Sequence, residues 1–350
     1  MLAVTLADLW FRARQFLIAV IGVGLVLTLA LGLSGLADGF HAEVASTVDD
    51  VGATSWVMAP SALGRLTAFA AFPATAVGAV EGEPGVHRAS PVLFAPEQVV
   101  TVAGSTTPQT VNLMGVQPGG LGDPQVVSGH GLSGLGQAVV DSKLDAHVGS
   151  VLELGGHHDE VVGLVDGRSM DGGIPIVYMS LATVQRAVIG GRQLITAVAT
   201  TGAPASLPAG LVVLAPSAVV TDTVAALGSV AASIDNTRSL MWLIAAAIVA
   251  SMLYVAALER KRDFAVLKAL GSSSRTLFFS LVLEAVVVTL FAAVLAEVLS
   301  LFLGPFFAQP IDITPDARLL LPLIAVTVGV IASISALRRV TGADPATAFG

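Results

Sequence analysis

Few residues in this chain of 350 are placed to do covalent chemistry. There is no cysteine, which removes disulfide frameworks, thiolate zinc sites, iron–sulfur clusters and cysteine nucleophiles together. His157, His158, Asp159 and Glu160 put four metal-ligand types in a row. Neighbouring side chains on a strand point to opposite faces and converge poorly on one ion, so a solvated turn is the better reading. Serine, histidine and aspartate are scattered through the middle of the chain without a Gly-x-Ser-x-Gly elbow to organise a triad. No Gly-x-x-x-x-Gly-Lys-Ser/Thr loop is present to cradle a nucleotide phosphate. Two acids, Glu284 and Glu297, interrupt an otherwise apolar run. In hydrocarbon each costs roughly 2.5–3.5 kcal/mol, so they should face protein or be protonated. At ~100° per helical residue they lie about 220° apart and do not form one carboxylate pair. Proton relay at Glu284 is the minor reading, and Glu297 fits a place near the outer headgroups.

The elements that must position such residues are mostly membrane elements. The chain is 54% hydrophobic and only 12% charged, with a mean hydropathy of +0.83, against roughly a quarter charged in soluble proteins. Residues 16–37, 239–258 and 319–337 carry no charge, and 276–303 only the two glutamates, so each can cross the ~30 Å of hydrocarbon as a helix. Arg12 and Arg14 precede the first run as they would a signal peptide, but its apolar length exceeds the ~7–15 residues of a cleaved one, which favours an uncleaved anchor. Arg12 and Arg14, the set Arg260, Lys261, Arg262, Lys268 and Arg275, and the pair Arg338 and Arg339 flank the runs and make up more than half of the 17 basic residues. Positive charge marks the inner side. Both termini (1–15 and 338–350) and the 259–275 loop are therefore expected in the cytoplasm, with residues 38–238 and the short 304–318 loop outside. Trp10 and Phe11, and Trp242, suit interfacial anchors. A net charge of −8 gives a nucleic-acid partner little support.

Residues 38–238 have apolar alternation punctuated by turn residues and read as a mixed α+β domain with a β-rich centre. Expected strands are Val99–Ala103, Thr110–Val116, Ala138–Asp141, Val151–Leu154, Val161–Val165, Ile176–Met179, Leu194–Ala199 and Leu211–Leu214, with a helix over Leu181–Val188. Phe40, Val44 and Val48 continue the first span outward at helical spacing. Val220, Val224, Leu227, Val230 and Ile234 form a second such stripe before the second span. The expectation is a four-span α-helical membrane protein with an extracytoplasmic domain between helices 1 and 2, joined by helical stalks or by helices lying on the domain floor.

The cytoplasmic loop mixes basic ends with Phe264, Leu267 and Leu270 at three-residue spacing, on one helical face, before Gly271. It reads either as an interfacial helix on membrane lipid or as a short helix docking into a groove on a cytoplasmic partner. The run Arg260-Lys-Arg-Asp-Phe-Ala-Val-Leu-Lys-Ala-Leu-Gly-Ser-Ser273, followed by Leu281-Val-Leu-Glu-Ala285, resembles the FtsX/MacB-like ABC transporter permease family. So do Val127-Ser-Gly-His-Gly-Leu, Gln137-Ala-Val-Val-Asp-Ser-Lys-Leu, Gly149-Ser-Val-Leu-Glu-Leu-Gly-Gly and Glu160-Val-Val-Gly-Leu-Val in the outside domain, and Gly342-Ala-Asp-Pro-Ala-Thr-Ala348 at the end. The layout of one span, a large domain and three more spans is similar as well.

That resemblance implies a permease homodimer with two copies of a separate cytoplasmic ATPase. ATP and magnesium would be bound by the ATPase, and this chain would hold no cofactor, no metal and no catalytic residue. Arg262, Asp263, Phe264, Leu267, Lys268, Leu270 and Gly271 would form the coupling helix seated on the ATPase, and Glu284 an intramembrane helix contact. Where the family often has Glu-Ile-Gly, this chain has Asp263-Phe264-Ala265, which keeps the acid. Leu132-Ser-Gly-Leu-Gly-Gln137 superficially echoes the ABC ATPase signature but lies in the outside domain and reads as a turn. The expected function is transmission of ATP-driven motion to the extracytoplasmic domain, for export or extraction of a hydrophobic substrate, lipoprotein or peptide. The alternatives are an FtsX-like regulator that activates an envelope hydrolase and a membrane-anchored sensor or scaffold without an ATPase.

Overall fold

In the computed structural model the described residues are 13–226 and 274–302, with scattered helical residues between 233 and 255 and between 318 and 331. The chain divides into two compact units, residues 40–229 and the remainder.

The N-terminal helix runs unbroken over Ala13–Asp50. It contains no proline, and it stops where Gly52, at φ 72°, returns its N–H to the Asp49 carbonyl (2.9 Å). Its residues 40–50 belong to the first unit, whose core is a β-structure. Strand β1 (Ser55–Met58) is short, and β2 (Phe72–Pro73) leads into a helix over Ala76–Glu81. The long β3 (Arg88–Val102) is followed by β4 (Gln109–Val116), β5 (Ser128–Gly129) and β6 (Gln137–Asp141). Then come β7 (Val151–Leu154), β8 (His157–Val165), β9 (Ser169–Met170) and β10 (Ile174–Ser180). After the helix Leu181–Ile189 the unit ends in β11 (Leu194–Ile195), β12 (Ala197–Thr201), β13 (Val212–Leu214) and the helix Pro216–Ala226.

The pairings run β13-β1-β12-β3-β4-β10-β6-β8-β5. They also close on themselves, because β7 bonds to both β8 and the far end of β3, with Val100 opposite Leu154 and Val102 opposite Leu152. A bulge between Ala95 and Gln98, with Glu97 at φ 52°, lets one strand serve both the open sheet and this ring. Alternation along the strands separates two cores. Leu93, Leu113, Val140 and Val177 pack on one face with Val184 of the helix Leu181–Ile189. Phe94, Met114, Val139 and Tyr178 pack on the other, with Val44 and Val48 of the N-terminal helix and Val219 and Val220 of the helix Pro216–Ala226.

Most expected elements are present with shifted ends. The strand expected at Val99 starts at Arg88, the span Leu194–Ala199 is two strands, and Ser180 caps the helix Leu181–Ile189 by accepting from the Thr183 N–H (3.3 Å). The outward continuation of the first span through Val44 and Val48 is helical and buried. Of the second stripe, Val220 is buried and Val224 packs against the same cluster, whereas Leu227, Val230 and Ile234 lie outside the described residues.

In the other unit, residues 16–24 of the N-terminal helix pack against the helix Ser274–Ser300. Phe16 meets Phe291 edge to face at 5.7 Å, and Ala19, Val20 and Val288 are buried between them and Leu295. Gly24 lies beneath Leu295, where a Cβ would come within 2.8 Å of Leu295 Cδ2. Hydroxyls are returned to their own helix: Thr28 donates to the Gly24 carbonyl (2.7 Å) and Thr289 to that of Ala285 (2.9 Å). Leu17, Ile18, Ile21, Leu25 and Leu29 stay exposed along one stripe.

Candidate functional site

The residues expected to dock a partner, Arg262, Asp263, Phe264, Leu267, Lys268, Leu270 and Gly271, lie outside the described residues. Glu284 falls on the helix Ser274–Ser300. Glu297, on the same helix, pairs with Arg318 at 3.3 Å, so its charge is met by a cation.

The best-built polar site is where residues 40–50 of the N-terminal helix meet the β-structure. Glu43 is an acid among Val44, Thr47 and Val48 on the buried face, and is itself only 6% exposed. A buried carboxylate needs donors. It receives two, the Gly173 N–H on Oε1 (2.9 Å) and the Gly172 N–H on Oε2 (3.1 Å). Both come from the turn Asp171-Gly172-Gly173 between β9 and β10, whose three φ values are 59°, 85° and 90°. Successive positive φ values aim consecutive N–H groups at one acceptor, and glycine reaches them without Cβ strain.

Two further bonds continue the contact down the helix. The Thr47 hydroxyl donates to the Ser169 carbonyl (3.3 Å) and Asp50 pairs with Arg168 (2.7 Å). Burial pushes the Asp50 carboxyl up, against the pull of Arg168. Arg168 is positioned from behind, since its N–H donates to Asp141 Oδ2 while Lys143 N–H donates to Oδ1 (2.9 Å). Asn112 holds the other side, accepting from the Glu97 N–H (3.0 Å) and donating to the Met170 carbonyl (3.2 Å). Burial, then Glu43, then Glu97 push the Asp171 carboxyl up to about 6. Beside the ion pair a small cavity of about 30 Å³ is lined by Asp50, Asp123, Arg168 and Tyr178. The arrangement holds no nucleophile and base in contact; it is a polar joint between the helix end and the β-structure.

Other expected sites come out plainly. His157 and His158 are exposed at the start of β8, not in the turn, which Gly155 and Gly156 form just before them. Asp159, which follows them in the strand, is buried. Among the described residues no group of three or more His, Asp or Glu could hold a metal ion. The Leu132–Gln137 segment is a turn, with Gln137 Oε1 accepting from the Ser133 and Gly134 N–H groups (2.8 and 3.2 Å).

Comparison with known proteins gives this joint a context. Residues 16–229 match the MacB-like periplasmic core domain and residues 239–345 the FtsX-like permease C-terminal domain. The chain belongs to the FtsX/MacB-like ABC transporter permease family. The permease is 35% identical over its whole length to proteins named "uncharacterized ABC transporter permease" in Mycobacterium bovis and Mycobacterium tuberculosis, covering 99% of each. It is also similar to the periplasmic region of MacB from Actinobacillus actinomycetemcomitans (11% identity, half of this chain and 94% of that one, TM-score 0.36). A further likeness is to the extracellular domain of the transporter YknZ from Gram-positive bacteria (14% identity, 39% of this chain and 75% of that one, TM-score 0.31). The permease is thus a membrane protein with an extracytoplasmic domain, it is not itself a catalyst, and its family implies an ATPase partner.

The junction residues Glu43, Asp50, Arg168, Asp171, Gly172 and Gly173 were not singled out by sequence reasoning. A signal exists: an acid at the centre of the apolar stripe Phe40-Val44-Val48, and an Asp-Gly-Gly turn.

Proposed function

We propose that the permease is the membrane subunit of an ABC system in which a separate cytoplasmic ATPase, binding ATP and magnesium, drives movement of the extracytoplasmic domain. In this reading the chain is a multi-pass protein of the cell membrane with four spans and cytoplasmic termini. Two copies form a homodimer, and the 259–271 helix seats on the ATPase through Asp263, Phe264, Leu267 and Lys268. Glu284 makes an intramembrane helix contact. The work is done outside, in export or extraction of a hydrophobic substrate, lipoprotein or peptide.

The observation that carries this reading is the joint at residues 43–50. A surface helix resting on a domain needs only apolar contacts. Here a single helix, Ala13–Asp50, ends in a buried carboxylate held by two backbone donors, a threonine bond and an ion pair. Directional bonds of this kind fix both position and rotation, as a rod that transmits movement requires.

The test is coupling. Asp263→Lys and Leu267→Asp should each abolish stimulation of the partner's ATPase while leaving membrane insertion intact. Unchanged coupling in both would overturn the docking assignment.

A further inference from the structure

The joint contains an unresolved conflict of charge. Glu43 brings its carboxylate onto Gly172 and Gly173 from the helix. The preceding residue, Asp171, is fixed in the same turn at φ 59°. Glu97 approaches from the β3 bulge, tied to the turn through Asn112, which bonds both Glu97 N–H and the Met170 carbonyl. The Glu43 carboxylate thus sits on the turn itself, and the exposed Glu97 lies close enough to act on Asp171. The charges acting on Asp171 are both acidic, Glu43 and Glu97. The nearby cation, Arg168, is engaged with Asp50, and with Asp141 these form a separate group around Tyr178.

We propose that the Asp171-Gly172-Gly173 turn is a proton-responsive latch, in which ionisation of Asp171 loosens the hold on Glu43 and protonation tightens it. The extracytoplasmic domain then grips the end of the N-terminal helix more firmly in an acidic medium. Its consequence for transport rests on the mechanical reading above; the latch itself does not.

The sign follows from linkage. In the docked form burial and the two carboxylates hold the Asp171 carboxyl at about 6, above the ordinary 3.8. Freed from Glu43 and exposed to water, it returns towards that ordinary value. The docked form therefore binds the proton more tightly, and docking is strongest at low pH and weakens as pH rises through about 6. Between about pH 7.5 and about pH 5 the docking equilibrium should gain up to roughly tenfold.

The experiment is hydrogen exchange, read by mass spectrometry as protection factors, on the full-length permease in lipid nanodiscs at those two pH values. Residues 40–50 in the wild type should gain up to roughly tenfold protection at the lower pH. Asp171→Asn should hold that higher protection at both. Wild-type protection that does not change with pH would overturn the latch, as would an Asp171→Asn protein that keeps the wild-type change. Protection of β4 and β10 reports whether the variant has folded. If it has not, Glu97→Gln, at an exposed position, decides: a smaller pH change supports the latch and an undiminished one overturns it. The mechanical reading fails separately, through unaltered ATPase coupling in the Asp263 and Leu267 variants.

Discussion

Glu43 accepts a 2.9 Å hydrogen bond from the backbone of Gly173, a residue 130 positions later in the chain. That bond joins residues 40–50 of the N-terminal helix to the turn between β9 and β10, within the unit of residues 40–229.

Replacing Glu43 by Ala leaves the Gly172 and Gly173 N–H groups without their acceptor on a buried face. A loss of about 1–3 kcal/mol in the stability of the joint is expected. Thermal unfolding of the full-length protein, together with exchange in residues 40–50, checks it. Wild-type protection in that segment would show that apolar packing alone holds the helix.

Gly173→Ala attacks the same bond from the other side. At φ 90° an alanine is strained by roughly 1–2 kcal/mol, so the turn should relax and withdraw its donor. The double variant Glu43→Ala/Gly173→Ala should lose less than the sum of the two, because the bond can be broken only once. Additive losses would argue against a shared interaction.

Asp171→Asn should raise stability at neutral pH and have a smaller effect as pH falls below about 6, because the wild-type carboxyl is then already protonated in the folded state. Unfolding midpoints of the two proteins, followed from neutral to mildly acidic pH, should converge. A gap of constant size would mean that shape, not charge, is responsible.

Because the chain has no cysteine, Phe16→Cys and Phe291→Cys can be bridged by a short bis-maleimide with no competing site. The edge-to-face contact at 5.7 Å predicts a high yield within one chain. Adding Gly24→Leu should reduce it sharply, since the new side chain starts 2.8 Å from Leu295 Cδ2 and 3.3 Å from the Ala292 carbonyl. Undiminished crosslinking would mean that the two helices do not rely on this close approach.

Periodicity made some of this legible from sequence. Val151–Leu154 is a strand with the expected bounds, and the helix after Ser180 starts at its cap. The first half of β3 was hidden by Pro91 and Pro96, which break a strand pattern; Pro96 falls in the bulge, and Pro91 pairs with Val198 of β12 before the β4 ladder begins at Leu93. The ring closure by β7 depends on pairings far apart in sequence, which no local pattern encodes. The joint was hidden for a different reason. Glu43 looks like a polar residue of an amphipathic helix, and its partners are backbone N–H groups, which carry no side-chain identity. Family membership, by contrast, was readable from the 260–273 run and the ectodomain motifs, and the matched regions bear it out.

We propose that ATP-driven motion enters through residues 259–271. Photo-crosslinkers at Phe264 and Leu270, with the tagged permease purified gently from its native membrane, test it most directly. The account predicts an ABC ATPase recovered in equal amount and crosslinked at both positions. Crosslinks to lipid or to the permease itself, with no ATPase, would contradict it.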